Sequence, residues 1–550
     1  MFLMILCFRH FFSVKYPFFV PFVELYSIIF FLNLDRRIKL PFIGNTIHKF
    51  ISRKETKMET SPDYKTYKDA KINADLTKAL TDLRTISGNT MDLNIMNVMV
   101  SGVPCAVVTI EGMVSTSSMA ELVFRPLMNF QAENTGKDTV FDFLTTQSLL
   151  AAERKTIFTY GDVFQFLFSG FAVIFIDGLS KAVVFGIQGY DKRSVSPPDS
   201  EQTIYGARDS FTEVIRTNIS LIRRRMKTPT LRFEMLQAGE LSSTDVCILY
   251  LRDRAAPEMV QRIRSKISKI KLDTVLNSGY IEPFLDDSYE KSIFSSIAKT
   301  ERPDMVCAKL NQGKVCVLID GTPFCLICPT LFVESFQTMD DYIAKGFYAN
   351  FIRWIKYFAF FLAVLFPGLY VALVMFHPEF FTLKLLLNLS ASEEATPYPL
   401  VIEVIVLMLM FEVMREAGLR MPTSIGSAVS IVGGLIIGDA AVKSGIVSAP
   451  LLIVVGITAT SSFAIPNLNQ AVTILRLLFI LAGGCAGLFG ISVCLMLLLA
   501  NVGAMNDFYI PYTAPLAPFH PKGAKDIFAR EQFRSYEKEH STIEDYRTNN

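Results

Sequence analysis

Between Glu403 and Pro422 the chain carries five charged residues, Glu403, Glu412, Arg415, Glu416 and Arg420, in a stretch that is otherwise apolar. Hydrocarbon penalises a charge at a helix centre by about 2.5–3.5 kcal/mol. Charges kept there face a bundle interior or a water-filled cavity. The chemistry on offer is ion handling rather than bond making. At ~100° per residue, Glu403, Val406, Leu407, Met410, Met414 and Ala417 share one helix face, and Glu412, Arg415 and Glu416 lie on another. Two readings follow. In one, Glu412 pairs with Arg415 as a structural ion pair while Glu416 is solvated at the membrane edge. In the other, Glu403, Met410 and Met414 line a polar pathway in an oligomer, where acidic rings favour cations and apolar constrictions gate by dewetting.

Other chemistry is sparse. The sequence has no P-loop, GxSxG, HExxH or dinucleotide fingerprint, so no enzyme activity is expected. Cys325 and Cys328 have redox or zinc spacing. A zinc site needs two further ligands nearby and a redox pair opens a helix, whereas these cysteines sit on an apolar, strand-like run. The nine cysteines form no regular framework and read as buried thiols in a reducing cytoplasm. No metal or cofactor is expected. His377 reads as a loop or interface group. Arg223, Arg224, Arg225 and Lys227 crowd the end of a helical pattern, where the dipole favours cations. A net charge of +2 and the lack of a binding motif argue against nucleic acid, leaving acidic neighbours or lipid headgroups as partners.

These residues need elements to hold them. The 550 residues are 51% hydrophobic, and the charge is uneven along the chain. The pattern predicts a multi-domain protein, with duplicated α/β cytoplasmic lobes followed by an all-α multi-pass membrane domain. Residues 1–57 form an apolar extension, and 58–89 a polar lead-in. The first lobe covers 90–200, a linking helix region 201–239, the second lobe 240–345, the membrane domain 350–505 and a polar tail 506–550. The Phe-rich extension lacks signal-peptide order. It is either a membrane-associated hairpin or translated upstream sequence, with the start near Met58; the second is the expectation. The lobes rest on an internal repeat. Gly170–Gly178 matches Gly313–Gly321 at an offset of 143, and Cys105–Ile110 matches Cys247–Leu251 at 142. Each Asp-Gly pair, Asp177-Gly178 and Asp320-Gly321, reads as a hairpin turn.

About five spans are expected: Trp354–Met375, Leu400–Gly418, Ile425–Val442, Val447–Ile465, and a fifth from Ala471 to about Asn501. Phe380–Leu389 is too short to span. Lys345, Arg353 and Lys356 place the lobes in the cytoplasm. Five spans put the tail outside; four or six put it inside. Gly426, Ser430, Gly434 and Gly438 make a smooth face for helix packing, within or between subunits, and Gly483 and Gly487 repeat the device.

Several segments together carry a family resemblance: Arg216–Asn218 with Leu221–Arg225, Ser278–Glu282, Thr300–Asp304, and Asp320-Gly-Thr-Pro-Phe324. Further on are Leu369–Leu373 with Phe376–Glu379, Phe411–Glu412 with Arg415–Gly418, Ala428–Gly433 and Val447–Pro450. In these the chain resembles the A subunit of GerA-type nutrient receptors of bacterial endospores, over roughly Asp92 to Phe519. The resemblance implies a non-enzymatic receptor subunit in the spore inner membrane, in contact with lipid. It implies a permease-like B subunit and a lipoprotein C subunit as partners, and a homo-oligomer that releases ions as germination starts. A secondary transporter would favour inverted repeats, and none is seen. A membrane-anchored scaffold is the third alternative and would carry no ions.

Overall fold

A computed structural model of the chain describes residues 67–131, 136–147, 153–189, 198, 201, 203, 205–420, 438–530 and 542–547. The chain divides into units 1–61 and 62–550, and the described residues belong to the second. The 1–57 extension, Gly426, Ser430, Gly434 and most of the third expected span lie outside the described residues.

The first lobe opens with helix α1 (Leu76–Ser87) and hairpin β1 (Leu93–Val100) and β2 (Val103–Ile110). Ser101 and Gly102 both have positive φ, as a two-residue hairpin loop requires. After short helical segments come β3 (Arg154–Ile157), α2 (Tyr160–Leu167), β4 (Phe171–Ile176) and β5 (Ala182–Gly186). The strands form an antiparallel sheet in the order β1-β2-β4-β5-β3. The second lobe runs α3 (Ile215–Arg225), β6 (Leu231–Ala238), β7 (Thr244–Leu251), α4 (Pro257–Ile267), β8 (Ala298–Thr300), α5 (Pro303–Asn311), β9 (Val315–Ile319) and β10 (Cys325–Cys328). Its sheet has the equivalent order, β6-β7-β9-β10-β8. Apolar clusters cover both faces of each sheet, so the inner strands are apolar runs rather than alternating ones.

Each lobe therefore begins earlier than the composition indicated. Helix α3 and strand β6 lie in the stretch read as a linking region, yet they build the second lobe. Helix α1, in the polar lead-in, packs into the first lobe's core through Leu83 and Ile86. The Asp-Gly turns explain the arrangement. Asp177 Oδ1 accepts from Leu76 N–H (3.1 Å), and Gly178 N–H donates to Ala74 (2.8 Å). Asp320 Oδ1 accepts from Ile215 N–H (3.0 Å), and Gly321 N–H donates to Glu213 (2.8 Å). Each turn thus satisfies free N–H groups at the start of its lobe's opening helix and sets a carboxylate at the positive dipole end. Gly178 and Gly321 have φ of 81° and 82°.

The basic helix end meets acidic neighbours. Arg223 is fully buried and donates to both Asp92 oxygens, at 2.7 and 3.0 Å. Its guanidinium lies 4.7 Å from the rings of Phe168 and of Phe233, so one cation joins both lobes. Arg225 is held by Asp209. Cys325 and Cys328 lie on opposite faces of β10, in different clusters, so their spacing does not bring the thiols together.

The helical region contains α6 (Gly346–Phe376), α7 (Leu383–Glu394), α8 (Leu400–Arg420), α9 (Ala449–Phe463) and α10 (Asn469–Ala504). Among the described residues, two helices, Gly346–Phe376 and Pro466–Ala504, are long and apolar enough to cross a membrane. The last is not one rod. Ala486 (φ −138°, ψ 16°) and Gly487 (φ 59°, ψ −143°) leave helical geometry. A Cβ on Gly490 would collide with the Ala482 carbonyl, eight residues back and about 12 Å away in an unbroken helix. The chain doubles back there, in two arms of roughly 17 residues, each about 26 Å long. Both ends return to the second lobe: Asn467 Nδ2 donates to Ser335 (3.4 Å) and Asn501 Nδ2 to Lys291 (3.2 Å). Gly487 is therefore a turn as well as a packing position: its backbone region is open to glycine alone, and a Cβ there would press on Phe376.

The polar tail follows the second arm onto the same lobe. Phe508, Ile510, Ile527, Ile543 and Tyr546 are buried in that lobe's core.

Candidate functional site: charged groups among the apolar helices

Helix α6 carries Pro367 in its interior. Proline has no N–H, so the carbonyl four residues back, Ala363, loses its helical donor. Arg476 on α10 supplies one: its Nε donates to Ala363 O at 3.0 Å. The neighbouring Gly368 makes room for this crossing. A Cβ there would lie 2.5 Å from Phe479 O, and one on Gly483 would meet Gly368 O. Gly483 is thus a close-packing position, between helices of one chain. Gly438, another expected packing glycine, faces the Leu452 side chain.

Arg476, 2% exposed, also reaches Glu412 on α8, Nη1 to Oε1 at 3.4 Å. Glu412 Oε2 is 2.5 Å from Arg415 Nη2. Thr473 Oγ1 donates to Glu412 (3.2 Å), and Arg415 Nη1 to Asn469 Oδ1 (2.9 Å). The cluster sets two cations against one carboxylate. In the sequence Arg476 is a lone charge in the first turns of the fifth expected span. Its link to Glu412, 64 residues away, leaves no local signal. Glu416 pairs instead with Arg420 at 2.7 Å, on an exposed face.

The face expected to hold Glu403, Met410 and Met414 is divided. Glu403 is 3% exposed, and its Oε2 accepts from Ser448 N–H (3.4 Å). Met410 is 37% exposed and Met414 half-buried. All three fall in one angular sector, but α9 and the chain before it cover only the Glu403 end.

Where α6 leaves the lobe, its cations are anchored rather than free. Lys356 Nζ is 3.0 Å from Asp341 and donates to Thr338 Oγ1 at 2.8 Å. Arg353, fully buried, donates to Asp526 O (2.6 Å) and Oδ1 (3.2 Å), and Tyr342 OH donates to Asp526 Oδ2 (2.7 Å). Beneath this joint, Glu334 binds Lys309 (2.8 Å) and Lys314. Burial acts to raise the Glu334 carboxyl, and the two ammonium groups overcome it, holding it down to about 2. Burial also lowers Lys314, to about 8.

Residues 81–542 match the family described as Bacillus/Clostridium GerA spore germination protein. The chain belongs to the GerA family. Spore germination protein KA of Bacillus subtilis (strain 168) is 34% identical over 477 residues, 86% of this chain and 87% of its own. An uncharacterized membrane protein of the same strain, YfkQ, is 37% identical over 428 residues, 77% of this chain and 82% of its own. Among solved structures, the N-terminal domain of the A subunit of the Bacillus megaterium spore germinant receptor GerK3 matches at 27% identity and a TM-score of 0.38. It covers 48% of this chain and 98% of that domain.

The segments that carry the GerA resemblance hold specific joints. The Asn218 side chain donates to Thr212 O (2.6 Å) and accepts from Thr212 N–H (2.7 Å), closing the turn before α3. Glu282 binds Lys299 at 2.6 Å. Arg302 donates to Asp304 (2.6 Å) and to Glu201 O (3.1 Å). None of these groups sits among the helices of the charged cluster.

Proposed function

We propose that this chain is the membrane-embedded A subunit of a nutrient germinant receptor, an oligomeric subunit that passes ions across the spore inner membrane at the start of germination. It works with a permease-like B subunit and a lipoprotein C subunit, and its outer helical surface meets lipid. The five apolar segments read from the sequence, with the last doubled back, make six crossings. The lobes and tail then share the cytoplasmic side, because α6 leaves the second lobe and α10 returns to it. The observation that carries the receptor reading is the match of residues 81–542 to the GerA family; the cluster of Glu412, Arg415 and Arg476 serves to hold α8 against α10. The pathway is assigned to the outward face of α8, where Val406, Met410 and Val413 are exposed in a single chain, with Met414 beside them. That face is apolar and suits a constriction that gates by dewetting.

Monovalent-ion efflux from spores, with immunoblots of the same preparations, tests this. Met410→Ala widens the constriction and should raise efflux without nutrient. Unchanged efflux in Met410→Ala and Met414→Ala, at wild-type protein level, would remove this face as the pathway.

A further inference from the structure

Four buried polar atoms of the helical region have no hydrogen-bond partner and belong to one neighbourhood: Glu403 Oε1, Glu393 Oε1, Tyr370 OH and Ser448 Oγ. They come from four segments. Tyr370 is on α6, Glu393 in the last turn of α7, Glu403 in the first turn of α8, and Ser448 caps α9. Ser448 N–H donates to the other Glu403 oxygen, which ties α8 to the start of α9. Gly445 (φ 68°) brings the chain before Ser448 against the Ala395 carbonyl, just beyond Glu393. Tyr370 packs on the cluster of Leu400, Val404, Val447 and Leu451, the residues beside Glu403 and Ser448. The charge of Glu403 acts on Glu393, and both carboxylates act on the Tyr370 hydroxyl. Among the described residues, only carboxylates act on Glu393 and Tyr370.

An uncompensated carboxylate is unfavourable in a low-dielectric interior, and two together repel. Here neither Oε1 atom is bonded to the other, so the pair does not share a proton directly. Glu403 and Ser448 are each 3% exposed, so bulk water does not serve them. Two negative charges among hard oxygen atoms match a divalent cation, which accepts carboxylate, hydroxyl and water ligands at flexible geometry. We propose that Glu393, Glu403, Tyr370 and Ser448 form a binding site for an oxygen-seeking divalent cation of the Ca²⁺ class. The carboxylates supply the charge, and the hydroxyls ligate directly or through water. The bound ion ties α7, which is otherwise loosely held by its single buried residue Leu389, to the bundle. The site lies within one chain, so it does not depend on the oligomeric pathway proposed above.

The test uses the purified full chain in detergent. Equilibrium dialysis with radioactive Ca²⁺ should find about one ion per chain, and CaCl₂ should raise the melting temperature more than KCl at equal ionic strength. Glu393→Gln and Tyr370→Phe should each weaken binding by about tenfold or more. Glu393 is only partly buried, and the isosteric change removes a charge that repels Glu403, so this variant should fold with at least the wild-type melting temperature in EDTA. Absence of bound Ca²⁺ in the wild type would overturn the proposal. So would undiminished binding in Glu393→Gln, or equal stabilisation by KCl.

Discussion

Glu412→Ala and Arg476→Met attack the same ion cluster from opposite sides, and the geometry orders their effects. Removing Glu412 leaves Arg415 and Arg476 as two uncompensated cations, with side chains 15% and 2% exposed. Breaking a buried pair in this way costs about 3–5 kcal/mol. Removing Arg476 leaves Glu412 paired with Arg415 at 2.5 Å and brings the cluster to neutrality. Its main cost is the Ala363 carbonyl, which loses its donor, about 1–3 kcal/mol. Arg476→Met should therefore be milder than Glu412→Ala. Pro367→Ala restores the missing N–H to that carbonyl, so the Pro367→Ala/Arg476→Met double variant should lose less than the sum of its single changes. Urea unfolding of the full chain in detergent, followed by circular dichroism, gives the four stabilities. Equal losses for Glu412→Ala and Arg476→Met, or strict additivity in the double variant, would refute the reasoning.

Two further outcomes follow from particular contacts. Gly487→Ala forces a side chain into a backbone region open to glycine alone and against the Phe376 ring, 3.1 Å from the added carbon. It should cost at least about 1–3 kcal/mol and expose the turn between the two arms to protease; wild-type resistance would contradict the doubled-back chain. Glu334 has a folded pKa held below its ordinary value, so it contributes stability above pH 4.5 that is lost as pH falls towards about 2. That contribution amounts to about 3 kcal/mol. Glu334→Gln should destabilise the chain at pH 6, and its gap from wild type should close on acidification. A gap that stays constant with pH would show that the two lysines do not hold the carboxylate.

Sequence alone determined what depends on local pattern. The two Asp-Gly turns were visible because a β-hairpin needs apolar runs on either side of residues that tolerate positive φ. The strand nature of Cys325–Cys328 followed from the same pattern, as did the apolar character of α6, α8, α9 and α10. The i,i+3 spacing of Glu412 and Arg415 put the two on one face. Family membership was legible for a related reason, since its motifs are short contiguous segments. The tertiary structure decided what depends on distant residues. Leu76 and Ile215 are capped from 101 and 105 residues away, so the true start of each lobe was hidden inside polar or basic stretches. The partner of Arg223 lies 131 residues back. Arg476 answers a proline on another helix, a need that no pattern around either residue records. The reversal at Gly487 was invisible because a lone glycine in an apolar run reads equally as helix packing or as a break. The backbone angles at Ala486 and Gly487 and the approach of Gly490 to Ala482 separate the two. Charge, period and turn chemistry act over a few residues; burial and pairing act through space, and the chain's path alone decides which groups meet.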